Sequence, residues 1–438
     1  MVSLFAAPGV RRLLWRSVLL GCILWSAAGI LSTARAQVAD EPLVIASVED
    51  LLQAVLGGNA SIRAAATRAE ALSLTPGVAG ALPDPTVAVG LFPFPIHTAR
   101  GEQLMQLRVE QMVPWPGKRE LQRTMAEMDA HMGREDVSRL RAEASLEALH
   151  AAMAVAQAEA RMAEIRHFQE RLKRFESVAL TRYENGEGEQ QHVWKLQLAL
   201  AAQDQALVRF EDDRAAAVAA IGQQVHRQVE VPEGAFPAIA PLIEQASPEQ
   251  RSEYRRMQAG IHRAAAAAES ARLVSRPDWG LSATWMTIVE SDMPAMSDGR
   301  DAFGVGVMLR IPLGRQEQEA REEAARLQET AMQEAQEAFV ATWQAMWAEN
   351  TVRLGQLEEQ LAHLDTRLLP VAESMLESSM QAYAAGRSGF LDLLDAERTA
   401  FELRMQRVEL TTRLATARWT RVRLSGQWDA PSEMHTNR

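Results

Sequence analysis

The chain carries one pattern twice, so any fold for it must use the same unit twice. Tyr183-Glu184-Asn185-Gly186 recurs as Tyr383-Ala384-Ala385-Gly386. Pro83-Asp84 opens one alternating apolar run and Pro277-Asp278 opens another. Val113-Pro114-Trp115-Pro116-Gly117-Lys118-Arg119 closes the first run and starts a long helical stretch. Ile311-Pro312-Leu313-Gly314-Arg315 does the same in the second half. Two halves with their elements in one order mark an internal repeat.

The unit mixes two periods. Val87, Val89 and Leu91 fall on one side of a period-two run. Met105, Leu107, Val109 and Val113 do so in the next, with Gln106, Arg108 and Glu110 opposite. In the second half, Trp279, Leu281, Ala283, Trp285 and Val289 share a face against Gly280, Ser282 and Thr284. Phe303, Val305, Val307, Leu309 and Ile311 share another against Gly304, Gly306 and Arg310. These are two β-hairpins whose strands, about ten residues each, have the length a tilted strand needs to cross a bilayer. Both hairpins run into long helical segments. Glu120 to Tyr183 holds no Pro and one Gly, Gly133; Gln316 to Tyr383 holds only Gly355 and Pro370. At the α-helical rise each would be roughly 95–100 Å long. Leu140, Leu146, Leu149, Met153 and Val155 mark a narrow, Ala-rich stripe, as in helices packed side by side like a coiled coil. A return helix follows each Tyr-x-x-Gly turn.

The expected organisation is a secretory leader over 1–36, a first repeat over 37–230, a connector over 231–248 with a short helix, a second repeat over 249–426 and a polar tail over 427–438. The first repeat contains short helices broken at Gly57-Gly58-Asn59 and ended by Thr75-Pro76-Gly77, a hairpin over 85–114, a long helix over 118–183 and a return helix over 190–228. The second contains a helix, a hairpin over 278–312, a long helix over 315–384 and a return helix over 389–426.

The leader reads from Arg11, Arg12 and Arg16, a short apolar stretch from Ser17 to Ile30, and Ala34-Arg35-Ala36 as a cleavage site. Cys22 is the one cysteine. Leu19-Leu20-Gly21-Cys22 resembles a lipidation box, but apolar Ile23-Leu24-Trp25 follows, and cleavage near Ala36 is the expectation. An exported chain without disulfides must be held by packing and assembly. The net charge of −11 argues against nucleic acid as a partner. Past the leader no segment has about 18 uninterrupted apolar residues, so entry into a membrane would be through strands. There is no phosphate-binding glycine loop, no His-x-x-x-His pair and no cysteine nucleophile past the leader. No enzyme and no cofactor are expected. Met125, Met128, His131 and Met132, and separately Met293 and Met296, have the chemistry of soft-metal ligands. Gap-filling between helices is the preferred account of both groups, and no metal site is expected.

Four amphipathic strands cannot close a barrel, and open edges are not tolerated in lipid. Strands from several copies must combine: two copies supply eight and three supply twelve, both permitted sizes. Small inward residues at Gly280, Ser282, Gly304 and Gly306 leave room, which favours twelve or more strands around water.

Tyr383-Ala384-Ala385-Gly386-Arg387-Ser388-Gly389-Phe390-Leu391-Asp392-Leu393-Leu394-Asp395-Ala396-Glu397 resembles the Y-x-x-G-x-x-(S/T)-x-x-D-(V/L)-L-D-A-(Q/E) motif of the TolC family of outer-membrane efflux ducts. The element order resembles that family over essentially the whole chain past the leader. The resemblance implies a mainly α fold with a membrane β part. Long helical hairpins would form a periplasmic α-barrel below a trimeric twelve-stranded outer-membrane β-barrel. It implies a homotrimer that spans the outer membrane lipid, reaches into the periplasm and docks a periplasmic adaptor and an inner-membrane pump. Asp392 and Asp395 fall where the family places carboxylates facing the tunnel at its periplasmic end. A ring of them attracts cations. The same residues also suit the start of a helix, where acids complement the dipole.

Arg387 lies one position before Ser388, where the family often has a gating Arg. Tyr183, Gly186, Gly188, Tyr383, Gly386 and Ser388 are the expected adaptor contacts. At the first tip His192 and Trp194 stand in place of the D-V-x-x-A pattern, and Glu187-Gly188-Glu189 is unusually acidic. Trp115, Trp279 and Trp285 are expected at the membrane interface. Pro114 to Arg119 and Pro83-Asp84-Pro85 resemble the subgroup that serves heavy-metal pumps. The implied function is a passive exit duct for metal ions or small toxic compounds. A duct for a type I protein secretion system, and an exported structural coiled-coil protein, stand as the alternatives.

Overall fold

A computed structural model describes residues 41–98, 101–290 and 299–429. The leader, Cys22, Met293, Met296 and the last residues of the tail lie outside them. The chain divides at Leu43, and the unit that begins at Val44 is the one described below.

In chain order the elements are α1 (Val48–Gly58), α2 (Ala60–Ala79), β1 (Thr86–Thr98), β2 (Gly101–Val113), α3 (Lys118–Glu184) and α4 (Gln190–Val225). The second set is α5 (Ser252–Leu273), β3 (Asp278–Val289), β4 (Ala302–Arg310), α6 (Arg315–His363), α7 (Leu369–Ala384) and α8 (Phe390–Ser425). Local chemistry sets the starts. The Ser47 hydroxyl accepts the Asp50 amide at 3.0 Å, and the Asn59 side chain accepts the Ser61 and Ile62 amides at 2.9 and 3.2 Å. The break expected at Thr75-Pro76-Gly77 does not occur, and α2 runs on to Ala79. Pro76 cannot donate to the Leu72 carbonyl, but the Thr75 hydroxyl does, at 2.7 Å, so the orphaned acceptor is satisfied.

The strands form one antiparallel meander in the order β1-β2-β3-β4, with the two hairpins side by side. Register turns the alternation into continuous rows. Val87 faces Val109, which faces Ala283, which faces Val305; Val89, Leu107, Trp285 and Phe303 form the next row. Gln111, Leu281 and Val307, then Val113, Trp279 and Leu309, complete the same face towards the helices. The opposite face carries Ala88, Arg108, Thr284 and Gly304 in one row and Thr86, Glu110, Ser282 and Gly306 in another. The apolar face is broadly exposed, and β1 and β4 are left as open edges.

Three side chains fix the joint between sheet and helices. Asp278 Oδ1 accepts the Trp115 amide and the Lys118 ammonium, both at 2.8 Å, and Lys118 also donates to the Arg276 carbonyl at 2.9 Å. Arg119 donates twice to the Gly80 carbonyl, at 2.9 and 2.6 Å. The Pro114–Arg119 stretch thus locks the descending helix under the second hairpin and against the end of α2.

α3 is 67 residues long, about 100 Å at the helical rise. Below the sheet it packs between α4 on one side and α8 on the other, and α8 packs in turn against α6 and α7. Nearer the sheet the order is α2, α3, α5, α6. First-repeat elements therefore sit at one side of the array and second-repeat elements at the other. The middle of α3 is buried on nearly every side, which small residues such as Ala142, Ala148, Ala151, Ala152 and Ala158 permit. Towards the tips Ile165, Phe168, Leu172, Phe175 and Ala179 form a heptad stripe.

Each repeat is clasped at its waist. Asn59 Nδ2 donates to the Gln224 carbonyl at 2.9 Å, which ties the start of α2 to the end of α4. In the second repeat the Ser252 amide donates to Asp429 Oδ2 at 3.1 Å, Arg423 donates to the same oxygen at 3.2 Å, and Arg251 grips Glu253 at 2.7 Å. The tail does not begin polar and loose at 427. Gln427–Asp429 is a short 3-10 turn whose Asp429 is fully buried. No helix forms over 231–247; the connector's only helical turn among the described residues is Pro248–Gln250.

The second long helix is not uniform. A π-turn over Leu364–Leu368 separates α6 from α7. Buried positions run Leu354, Leu357, Leu364, then Leu369, Ala372, Leu376 and Tyr383. The step from Leu364 to Leu369 is one residue longer than a heptad allows. A wider turn absorbs it and keeps both leucines on the packed side. Pro370 follows in the first turn of α7, where its missing amide costs least.

Candidate functional site

Both helical hairpins turn through the same motif at their tips. In the first, the Gly186 amide donates to the Tyr183 carbonyl at 3.0 Å and the Glu187 amide to the Arg182 carbonyl at 2.9 Å. In the second, Gly386 donates to Tyr383 at 3.1 Å and Arg387 to Ala382 at 2.8 Å. This closure needs a left-handed residue, and Gly186 and Gly386 supply it at φ of 76° and 68°. No neighbouring atom approaches either glycine, so both present bare backbone at an open surface.

Behind the turns the tips are unequal. Tyr183 is 41% exposed whereas Tyr383 is 7% exposed. Tyr383 is clamped by Arg182, whose guanidinium lies 4.4 Å from its ring centre and donates to its carbonyl at 3.0 Å. The Phe390 ring meets Tyr383 edge-on at 6.1 Å and His192 at 4.7 Å. His192 thus packs on an aromatic of the second hairpin. Phe168, Leu172, Phe175, Val193, Leu196, Leu376, Leu393 and Ala400 continue the cluster, so all four helices share one core above the turns.

Gly188 lies under the first turn, with room for a Cβ only 3.2 Å from that of Arg182. Ser388 is half-buried and its hydroxyl has no hydrogen-bond partner. Arg387 is exposed, as are Glu184, Glu187 and Glu189 of the first tip. Asp392 and Asp395 lie one turn apart on the exposed side of α8, while Leu393, Ala396, Glu397 and Ala400 face inwards. Asp392 does cap its helix: its Oδ2 accepts the Gly389 amide at 3.1 Å. One oxygen holds the backbone while the rest of the carboxylate stays at the surface.

The ties between the hairpins are only faintly marked in the sequence. Arg171 of α3 donates to Glu397 of α8, and the Phe168 and Phe401 rings stack at 4.2 Å. One signal was present: Glu397 occupies a position of the buried stripe Leu393, Ala396, Ala400, where an acid is out of place.

At the other end, Trp279 stands in the apolar row nearest the helices, and Trp285 in a row further out beside Phe303. Trp285 Nε1 donates to Asp301 Oδ2 at 3.0 Å. Two aromatic levels therefore flank the exposed apolar band. Trp115 is partly buried at the strand–helix joint. Among the described residues no helix is long and apolar enough to cross a membrane, and no three His, Cys, Asp or Glu come together in a metal-holding group.

No family profile and no curated protein matches the chain. Solved structures do. The outer-membrane channel OprN superposes with a TM-score of 0.72 at 18% identity, covering 87% of this chain and 91% of that one. CusC, described as forming a transmembrane channel, gives 0.73 at 14%, covering 86% and 92%. The open state of the MtrE outer-membrane channel of Neisseria gonorrhoeae gives 0.71 at 15%, covering 87% and 89%. The chain has the fold of these channels: long helical hairpins joined to an amphipathic strand meander.

Proposed function

We propose that the chain is a TolC-family outer-membrane exit duct. It assembles with further copies of itself, reaches into the periplasm and passively conducts what a periplasmic adaptor and an inner-membrane pump deliver. The observation that carries this reading is the sheet. Its strands of 13, 13, 12 and 9 residues match or exceed bilayer length, one face is apolar and exposed, and the other is polar with small residues. Such a sheet has no use in a water-soluble coiled-coil spacer. In lipid its two free edges must be paired, and only other copies of the chain supply the matching strands.

The helices support the same assembly. α4 ends the array on the first-repeat side with Trp194, Leu198 and Val208 exposed. The second-repeat side exposes Val352 on α6 and Val371 and Met375 on α7. Two different apolar edges meet head to tail, which closes a ring when the rotation allows it. Three copies give twelve strands, the size at which inward Gly304 and Gly306 leave a water-filled lumen. The tips then face the adaptor through Tyr183, Gly186, Gly188, Gly386 and Ser388; Tyr383, also expected there, is buried behind the turn and braces it instead. Asp392 and Asp395, with Arg387 beside them, line the periplasmic aperture. Energy comes from the pump, so no catalytic group is required. The cargo is a metal ion or a small toxic compound, and survival of a deletion strain on copper, silver, zinc, cobalt and organic toxicants distinguishes the two.

Conductance across planar lipid bilayers tests the duct. The protein should form cation-selective channels, and Asp392→Asn with Asp395→Asn should bring the cation preference down several-fold towards neutrality. Asparagine is the informative substitution at 392, because its side-chain oxygen can still accept the Gly389 amide. A double variant as selective as the parent would remove these residues from the aperture. A protein that needs no detergent and conducts nothing would end the duct reading itself.

A further inference from the structure

The aperture residues are exposed, but the seam behind them contains a buried charge. Glu397 is fully buried on α8, within the stripe that packs α8 against α3. One of its oxygens accepts from Arg171 Nε of α3. Its other oxygen and Arg171 Nη2 are both buried without a partner. Arg174 of α3 and Arg404 of α8 add positive charge around it, and Arg404 faces Glu373 of α7 at 3.9 Å. His192 of α4 also borders this seam, stacked on Phe390.

A buried ion pair holds well only when every lone pair and every proton on it is matched. Here half of the carboxylate is unmatched. Burial therefore pushes the Glu397 carboxyl above its ordinary range, and Arg171 offsets only part of that.

We propose that the Arg171–Glu397 pair is the release point of the aperture: its incompletely satisfied charge leaves α8 weakly held against α3, so that a docked partner frees the second hairpin with a modest push. The proposal rests on the duct reading. It makes Glu397 a positioning residue that acts on Asp392 and Asp395 through the helix that carries them. It also fixes the sign of a pH effect. A carboxyl raised in the closed seam binds its proton more tightly there than when the seam is open, so acid tightens the seam and alkali loosens it.

The test uses the full chain with Ala396→Cys as reporter, since Ala396 is 3% exposed and lies in the seam. Its labelling by a water-soluble thiol reagent is measured at each pH relative to exposed Ala385→Cys, which divides out the pH dependence of the reagent, and relative to the same cysteine in urea-unfolded protein, which divides out that of the thiol. Replacing the pair by apolar residues, Arg171→Met with Glu397→Leu, should slow labelling on the order of tenfold, because the unmatched charge is gone. Arg171→Met alone should speed it by a similar factor, because it strands a lone buried carboxylate. Glu397→Gln should label slowly and at the same relative rate from about pH 7.5 to about pH 5, whereas the parent should slow over that range.

Bilayer currents recorded in parallel should follow the same ranking. Equal labelling in the parent, Glu397→Gln and the double variant overturns the proposal. So does a pH response that survives Glu397→Gln and vanishes in His192→Gln. If Arg171→Met does not assemble, the other two variants decide the matter. If no protein conducts, the duct reading fails while the labelling still judges the pair.

Discussion

At the scale of single residues, the charges that matter are those whose neighbours leave them no freedom. Glu253 at the waist of the second repeat is an example. Burial acts to raise its carboxyl, but the Arg251 hydrogen bond and the Arg251 and Arg423 charges outweigh burial and bring it down to about 2 from an ordinary 4.5. Its contribution to stability is therefore complete above 4.5 and is lost as the pH falls through 2. We expect Glu253→Gln to lower unfolding free energy at neutral pH by about 2–3 kcal/mol. The stability-against-pH curve of the variant, from urea titrations, should lack that acid limb. Asp429 next to it moves the other way: burial raises it, with Arg423 opposing, so acidification protonates Asp429 first. The exposed acids of the second tip are legible because a motif marks them. The surroundings of Glu253, Asp429 and Glu397 are not, because Glu253 meets Arg423, Asp429 meets Ser252 and Glu397 meets Arg171 only once distant elements pack.

At the scale of elements, what could be read was what has a period. The alternating faces of all four strands appear in the sequence and reappear as rows across the sheet, since a period of two survives any register that keeps one face apolar. The pairing of β2 with β3 could not be read, being long-range. Proline misled where a local substitute exists, as the Thr75 hydroxyl shows. The π-turn is marked in the sequence only by the five-residue step from Leu364 to Leu369, which stands out once the neighbouring positions are known to be buried. It yields a prediction for the element. Deleting exposed Thr366 should convert the turn to continuous α-helix with its leucines still in register, and should change stability by no more than about 1 kcal/mol. Deleting exposed Glu358, ahead of the turn, shifts Leu361 and Leu364 off the packed side even where the turn tightens and restores Leu369 and the positions beyond it. It should cost several kcal/mol, on the order of two lost core leucines. Thermal melts followed by far-ultraviolet circular dichroism compare the two.

At the scale of the whole molecule, one chain is an unfinished object. Leu198 on α4 is 72% exposed and Val371 on α7 is 68% exposed, at opposite sides of the same helical array. If copies meet head to tail, each residue is covered by the neighbour's other edge. Leu198→Asp and Val371→Asp should then each shift the detergent-solubilised protein from trimer towards monomer, as read by light scattering, with little change in helical content. An unchanged mass in both would place the interface elsewhere. The two waist clasps, Asn59 to Gln224 and Ser252 to Asp429, have a mechanical meaning at this scale. In the duct proposed above they would act as a collar between the sheet and the tips, so that a torque applied at the turns would be taken up in the lengths of α4, α7 and α8 beyond the clasps. The strand end would then keep one bore whether the far end were shut or open, and the membrane would never feel the valve work.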